Sequence, residues 1–170
     1  WRHVLFAMGV MPLILGAMLY FIPVLTRSAP ARGAVLFLPV AAFVLGVCAV
    51  LALHHRPMLL PGIAAAALLV VALETAWAWR RRARSFGTPH PGLDWYLFAL
   101  IALVAALALI TARALWPEHW AVTRVLHLHL NLFGFLGLTA IGTLRVLLPT
   151  AMGVQDPQAH PFLRSQLPVA

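Results

Sequence analysis

The sequence predicts an all-α membrane protein: a polytopic transmembrane helix bundle of about five spans, as three observations indicate. Hydrophobic residues fill 63% of the 170 positions and charged residues only 9%, with a mean hydropathy of +0.94. A soluble domain carries about 25% charged residues, because water must solvate its surface; much of this chain's surface therefore faces lipid. Five stretches are apolar over the roughly 20 helical residues that a bilayer core requires. These runs are continuous rather than alternating, which excludes barrel strands and leaves helices to satisfy the backbone in lipid.

The first stretch runs from Val4 to Leu25 and closes at Thr26-Arg27. Pro12 within it removes a backbone donor and predicts a kink. The second, from about Ala34 to Leu53, stops at His54-His55-Arg56-Pro57. The third covers Leu59 to Trp79 and is closed by Arg80, Arg81, Arg82 and Arg84. The fourth, Leu93 to Leu115, is followed by Trp116-Pro117-Glu118-His119, and the fifth, Val122 to Leu148, stops at Pro149. Residues 1–150 thus form the bundle. Residues 151–170, with Pro157, Pro161 and Pro168, are expected as an irregular tail. The chain opens on Trp1 without a signal-peptide pattern, so it is expected to be processed or a piece of a longer protein.

All 12 basic residues are arginine, and the formal charge is +8. Nucleic-acid binding would need a basic face on a soluble fold, whereas these arginines sit at the ends of apolar runs. The positive-inside rule places the Arg80–Arg84 loop in the cytoplasm, with the loop carrying Arg27 and Arg32 and the C-terminal tail on the same side. The chain start then lies outside. Trp1, Trp77, Trp79, Trp95, Trp116 and Trp120 all fall near expected interfaces, as amphipathic rings do. Arg145, one turn before Pro149, is placed to snorkel to the inner headgroups. Glu74 precedes the arginine cluster; pairing with Arg81, about two turns on, is preferred to a place in a proton or ion path. The single cysteine, Cys48, excludes an internal disulfide and any cysteine-based metal cage.

The first and fifth spans match at an offset of 126 residues, aligning His3, Gly16 and Pro23 with His129, Gly142 and Pro149. Both copies run in the same direction, so the repeat is parallel and sets equivalent residues at one depth. Of the eight histidines, six fall at the predicted outer end: His3, His54, His55, His119, His127 and His129. His90 and His160 lie in inner-side segments beside prolines and read as plain loop residues. On a regular helix His127, Asn131, Gly134, Gly137 and Gly142 share an arc of about 140°. His129 points about 160° away from His127, so the two cannot easily ligate one ion. The glycines allow a neighbouring helix or a flat porphyrin to approach the backbone. Neutral imidazole is a good axial ligand for heme iron, and histidines are costly in spanning helices without a partner.

Arg124-x-x-His127 followed by Phe133, Phe135 and Gly137 resembles the second transmembrane helix of heme–copper oxidase catalytic subunits. The wider pattern, a histidine-led helix ending in a proline, resembles the oxidase-like and NnrS-like membrane proteins of bacteria. The resemblance covers the first and fifth spans; the other three match only as apolar spans. It implies a bacterial inner (cytoplasmic) membrane protein in which His127 is an axial heme ligand, with His129 and His3 as repeat-related alternatives and Asn131 hydrogen-bonding nearby. The pair His54-His55 resembles a copper-site histidine pair, though it stands at a helix end. Five spans lack the later helices that supply the oxidase copper site, so oxygen reduction by this chain alone is not expected. The expected function is a heme-binding module for electron transfer, or a subunit of a respiratory-type complex with other membrane subunits or a redox partner. The alternatives are a cofactor-free accessory subunit of a larger complex and, less favoured, a small transporter, which would want polar residues at the midplane.

Overall fold

A computed structural model describes residues 3–115 and 117–154. Five helices in it are long and apolar enough to cross a membrane: α1 Val4–Leu25, α2 Gly33–His55, α3 Pro57–Ala83, α4 Gly92–Ala112 and α5 Trp120–Pro149. The described residues contain no strand. Most of the expected tail lies outside them; α5 itself continues as α-helix to Ala151.

The element ends follow from local chemistry. α3 runs through the arginine cluster to Ala83 instead of stopping at Trp79, because cations in a last turn complement the helix dipole and the exposed carbonyls. α4 stops at Ala112, three residues before the expected end, and Arg113–Leu115 tightens into a 3-10 turn. α1 closes with Arg27 at φ 50°, in the left-handed region, while the Ser28 amide donates to the Pro23 carbonyl at 2.9 Å. That is the reversal that caps a helix C-terminus, occupied here by arginine instead of glycine.

The stretch before Pro12, where a kink was expected, departs from regular α-helix. Val4–Val10 is a π-helix, and regular α-helix begins at Met11. In the fifth span Leu130–Gly137 is a π-helix and regular α-helix resumes at Leu138. Shifting 4–10 by the 126-residue offset gives 130–136. Both copies therefore share an order of histidine, π segment, α-helix and late proline, with Pro23 and Pro149 inside the final helices. The repeat read from three aligned residues extends to the hydrogen-bond register.

α4 is the hub. Half of its apolar window is buried against 11% for α2, and it packs on α1, α3 and α5. The core joins Leu15, Met18, Ile22 and Leu25 of α1, Val71 and Ala78 of α3, Leu93, Tyr96, Leu97, Leu100 and Leu103 of α4, and Phe135 of α5. Leu13, Tyr20, Phe37, Val40, Leu69 and many other large apolar residues point outward, as expected of a lipid-facing surface. α2 reaches α1 through Gly46, where a Cβ would run into the Ala7 carbonyl. On α5 a Cβ at Gly134 would stand 2.6 Å from the Cβ of Ala102, and one at Gly142 would stand 2.8 Å from the Cβ of Trp95. Those two glycines are used to seat α5 on α4, so the porphyrin alternative for that face is not what they serve.

One end of the bundle is tied by polar contacts. The Thr26 carbonyl accepts from the Phe86 amide at 3.2 Å and the Ser85 hydroxyl at 3.0 Å, and the His90 amide donates to the Leu25 carbonyl at 3.0 Å. His90 also accepts from the Gly92 amide through Nδ1 at 3.0 Å, so it caps the start of α4 rather than idling in a loop. Arg81 donates to Ser28 Oγ at 3.1 Å and to the Ala29 carbonyl at 2.8 Å, with Trp77 beneath its guanidinium. Arg82 pairs with Asp94 at 2.9 Å.

Two sequence expectations are corrected here. Arg81 is engaged by the loop after α1, and Glu74, fully buried, makes no hydrogen bond through either carboxyl oxygen among the described residues, so the Glu74–Arg81 pair is not formed. Glu74 lies between Val71 and Ala78 on the core face of α3; Arg81 shares that side but stands about 10 Å further along the helix, where Ser28 and Ala29 take up its guanidinium. Trp95, in the first turn of α4, faces protein instead of headgroups: it is 1% exposed, covered where Gly142 lets α5 close, and its indole N–H has no hydrogen-bond partner among the described residues.

Candidate functional site at the histidine end

The end opposite the arginine cluster gathers the start of α1, the end of α2 and the start of α5. His127 lies in the last α-helical turns of α5 before the π segment and is half buried. Its Nδ1 stands 2.9 Å from the Ala106 carbonyl of α4. A carbonyl only accepts, so Nδ1 carries the proton and Nε2 keeps its lone pair. Asn131, one turn on, donates from Nδ2 to the His127 carbonyl at 2.7 Å, while that nitrogen stays 3.5 Å from Nε2, at the limit of a hydrogen bond. The tautomer and ring direction of His127 are therefore fixed by its surroundings, and a nearly unused imidazole lone pair remains. That is the usual preparation of a metal-ligating histidine.

His3 stands at the mouth of α1. Its side chain is exposed at the surface, and partial desolvation of the ring, followed by the imidazole of His127, holds its pKa below the ordinary histidine value. The two imidazoles lie at the same end of the bundle, His3 at the start of α1 and His127 on α5. The pair crosses the repeat instead of following it, for His3 is aligned in sequence with His129.

His129 goes elsewhere. It is exposed, its Nδ1 donates to the Val125 carbonyl of its own helix at 2.8 Å, and its ring lies 5.5 Å from that of Phe133. The separation of His127 from His129 expected from helical phase holds. His54 and His55 are exposed at the end of α2, with His54 Nδ1 donating to the Val50 carbonyl at 2.9 Å. His119 lies 3.2 Å from Glu118. Among the described residues no group of three or more histidine, cysteine, aspartate or glutamate side chains converges on one point. No protein-family model, curated protein or solved structure matches the chain.

Three features were not foreseen from the sequence: the Ala106 acceptor, the Tyr96–Thr143 hydroxyl contact at 2.8 Å and the Arg82–Asp94 pair. Backbone acceptors leave no mark in side-chain patterns. The Tyr96–Thr143 contact needs the α4–α5 register, which Gly134 and Gly142 set but do not announce. Arg82 and Asp94 flank a helix-to-helix loop, and opposite charges at that distance were a signal that could have been used.

Proposed function

We propose that this chain is a heme-binding membrane module in which His3 and His127 supply two axial imidazoles, serving electron transfer alone or as a subunit of a respiratory-type complex. The observation that carries the reading is the His127 ring, held through Nδ1 on the Ala106 carbonyl with Nε2 left over, at the end of the bundle where His3 opens α1. The donor set suits heme better than a bare ion. A structural zinc site takes four protein ligands, whereas a porphyrin supplies four nitrogens itself and asks the protein only for axial groups. Heme, when bound, supplies reversible one-electron chemistry at iron. The protein's part is to hold the ligands: Ala106 fixes the His127 tautomer, Asn131 ties the turn that carries it, and the adjacent π segments belong to the class of helix irregularity often found at functional sites. The arginine end then faces the cytoplasm under the positive-inside rule, and the histidine end faces outside.

A reduced-minus-oxidised absorption spectrum of the purified protein tests this. The expected result is a Soret shift with an α band that disappears in His127→Ala and persists in His129→Ala. A flat spectrum from protein expressed with ample heme supply, or equal loss in both variants, contradicts the reading and leaves the accessory-subunit alternative.

A further inference from the structure

A second feature lies at the other end of the bundle and is independent of the histidines. Ala72, Thr75, Ala76 and Trp79 of α3, spaced at helical intervals, line a crevice of about 420 Å³ with Val104 of α4 and Arg80. The floor is apolar: Thr75 turns its hydroxyl back to the Val71 carbonyl at 2.7 Å and offers a methyl group. From Ala72 to Arg80 the crevice follows about 12 Å of helix at 1.5 Å per residue, most of one leaflet of a hydrocarbon core about 30 Å thick. The crevice is shallow and open to the outside of the bundle, and its place on a span of membrane-crossing length turns it toward lipid.

The rim carries the charge. Arg81 and Arg82 are engaged by the protein, but Arg80 is exposed and makes no hydrogen bond or ion pair among the described residues. Trp79, 54% exposed, forms the aromatic wall beside it. Its ring is braced by the Arg82 guanidinium at 5.9 Å, which is pinned in turn to Asp94 at 2.9 Å. A shallow apolar groove along most of one leaflet, walled by a braced indole and ending at an uncommitted guanidinium, matches an acyl chain below an anionic headgroup.

We propose that this crevice between α3 and α4 is a binding site for one anionic phospholipid, with an acyl chain along Ala72, Thr75 and Ala76 and the headgroup phosphate on Arg80. Arginine suits a phosphate through its paired N–H donors, and basic positions between helices at a membrane face are recognised lipid sites.

Native mass spectrometry of the full chain from mild detergent tests it, using phosphatidylglycerol and phosphatidylcholine at equal concentration. One phosphatidylglycerol is expected to be retained in preference to phosphatidylcholine. Arg80→Gln should weaken its retention about fivefold, the equivalent of roughly 1 kcal/mol for one arginine near the surface. Ala76→Leu, which fills the slot without altering charge, should reduce retention as well, and Arg56→Gln at the opposite end should not. Equal retention of both lipids, an Arg80→Gln loss no larger than that of Arg56→Gln, or full retention in Ala76→Leu each overturns the proposal. Circular dichroism of each variant separates a lost site from a lost fold.

Discussion

Glu74 is buried within a membrane span, and neither carboxyl oxygen has a hydrogen-bond partner among the described residues. An unsatisfied buried polar group costs about 1–3 kcal/mol, and intramembrane carboxyls are rare for that reason. Glu74→Leu is therefore expected to stabilise the bundle by roughly 1–2 kcal/mol, read as a higher thermal midpoint in detergent; a lower midpoint would mean that the carboxyl has a partner in the membrane. His3 makes a pH prediction. Its lowered folded-state pKa means that the unfolded chain binds the proton more readily. Stability is then lost as pH falls through the ordinary histidine value near 6.5. His3→Gln should flatten that dependence between pH 8 and 5.5, and an unchanged slope would remove His3 from the account. Neither Glu74's isolation nor Trp95's burial was legible in the sequence. A carboxylate two turns from arginines and a tryptophan near a helix start look the same whether their face meets headgroups or a neighbouring helix.

At the scale of elements, the spans were legible because continuous apolar runs of bilayer length allow one solution. Their ends were displaced where capping chemistry overrode hydropathy, as the arginines did at α3. The seating of α5 on α4 rests on Gly134, where a Cβ would approach that of Ala102 to 2.6 Å. Gly134→Ala is expected to cost about 1–3 kcal/mol through overpacking, and Ala102→Gly in the same chain should restore most of it. Additive losses in that pair would place the α4–α5 contact elsewhere. Arg27, at φ 50°, occupies a conformation costing L residues about 1–2 kcal/mol. Arg27→Gly should raise the thermal midpoint, and a fall would show that the side chain contributes more than its strained backbone costs.

At the scale of the molecule, an odd number of spans turns the repeat into a device. It brings α1 and α5 into the bundle in the same direction, each with a π segment at the histidine end and a proline near the arginine end. Three aligned residues carried that relation in the sequence. That His127, and not the sequence-aligned His129, is the α5 histidine that influences His3 was not legible, because helical phase along α5 says nothing of where α1 sits across α4. Arginines at one end and histidines of α1, α2 and α5 at the other give the bundle a polarity that the proposed electron-transfer role would use. The most direct measurement of that claim is the electron paramagnetic resonance spectrum of the oxidised protein loaded with heme, for the native chain and for His3→Ala. Two imidazoles on one iron predict a low-spin ferric signal in the native protein that turns high-spin when His3 is removed. A low-spin signal that survives His3→Ala, or no bound iron in the native chain, contradicts the account.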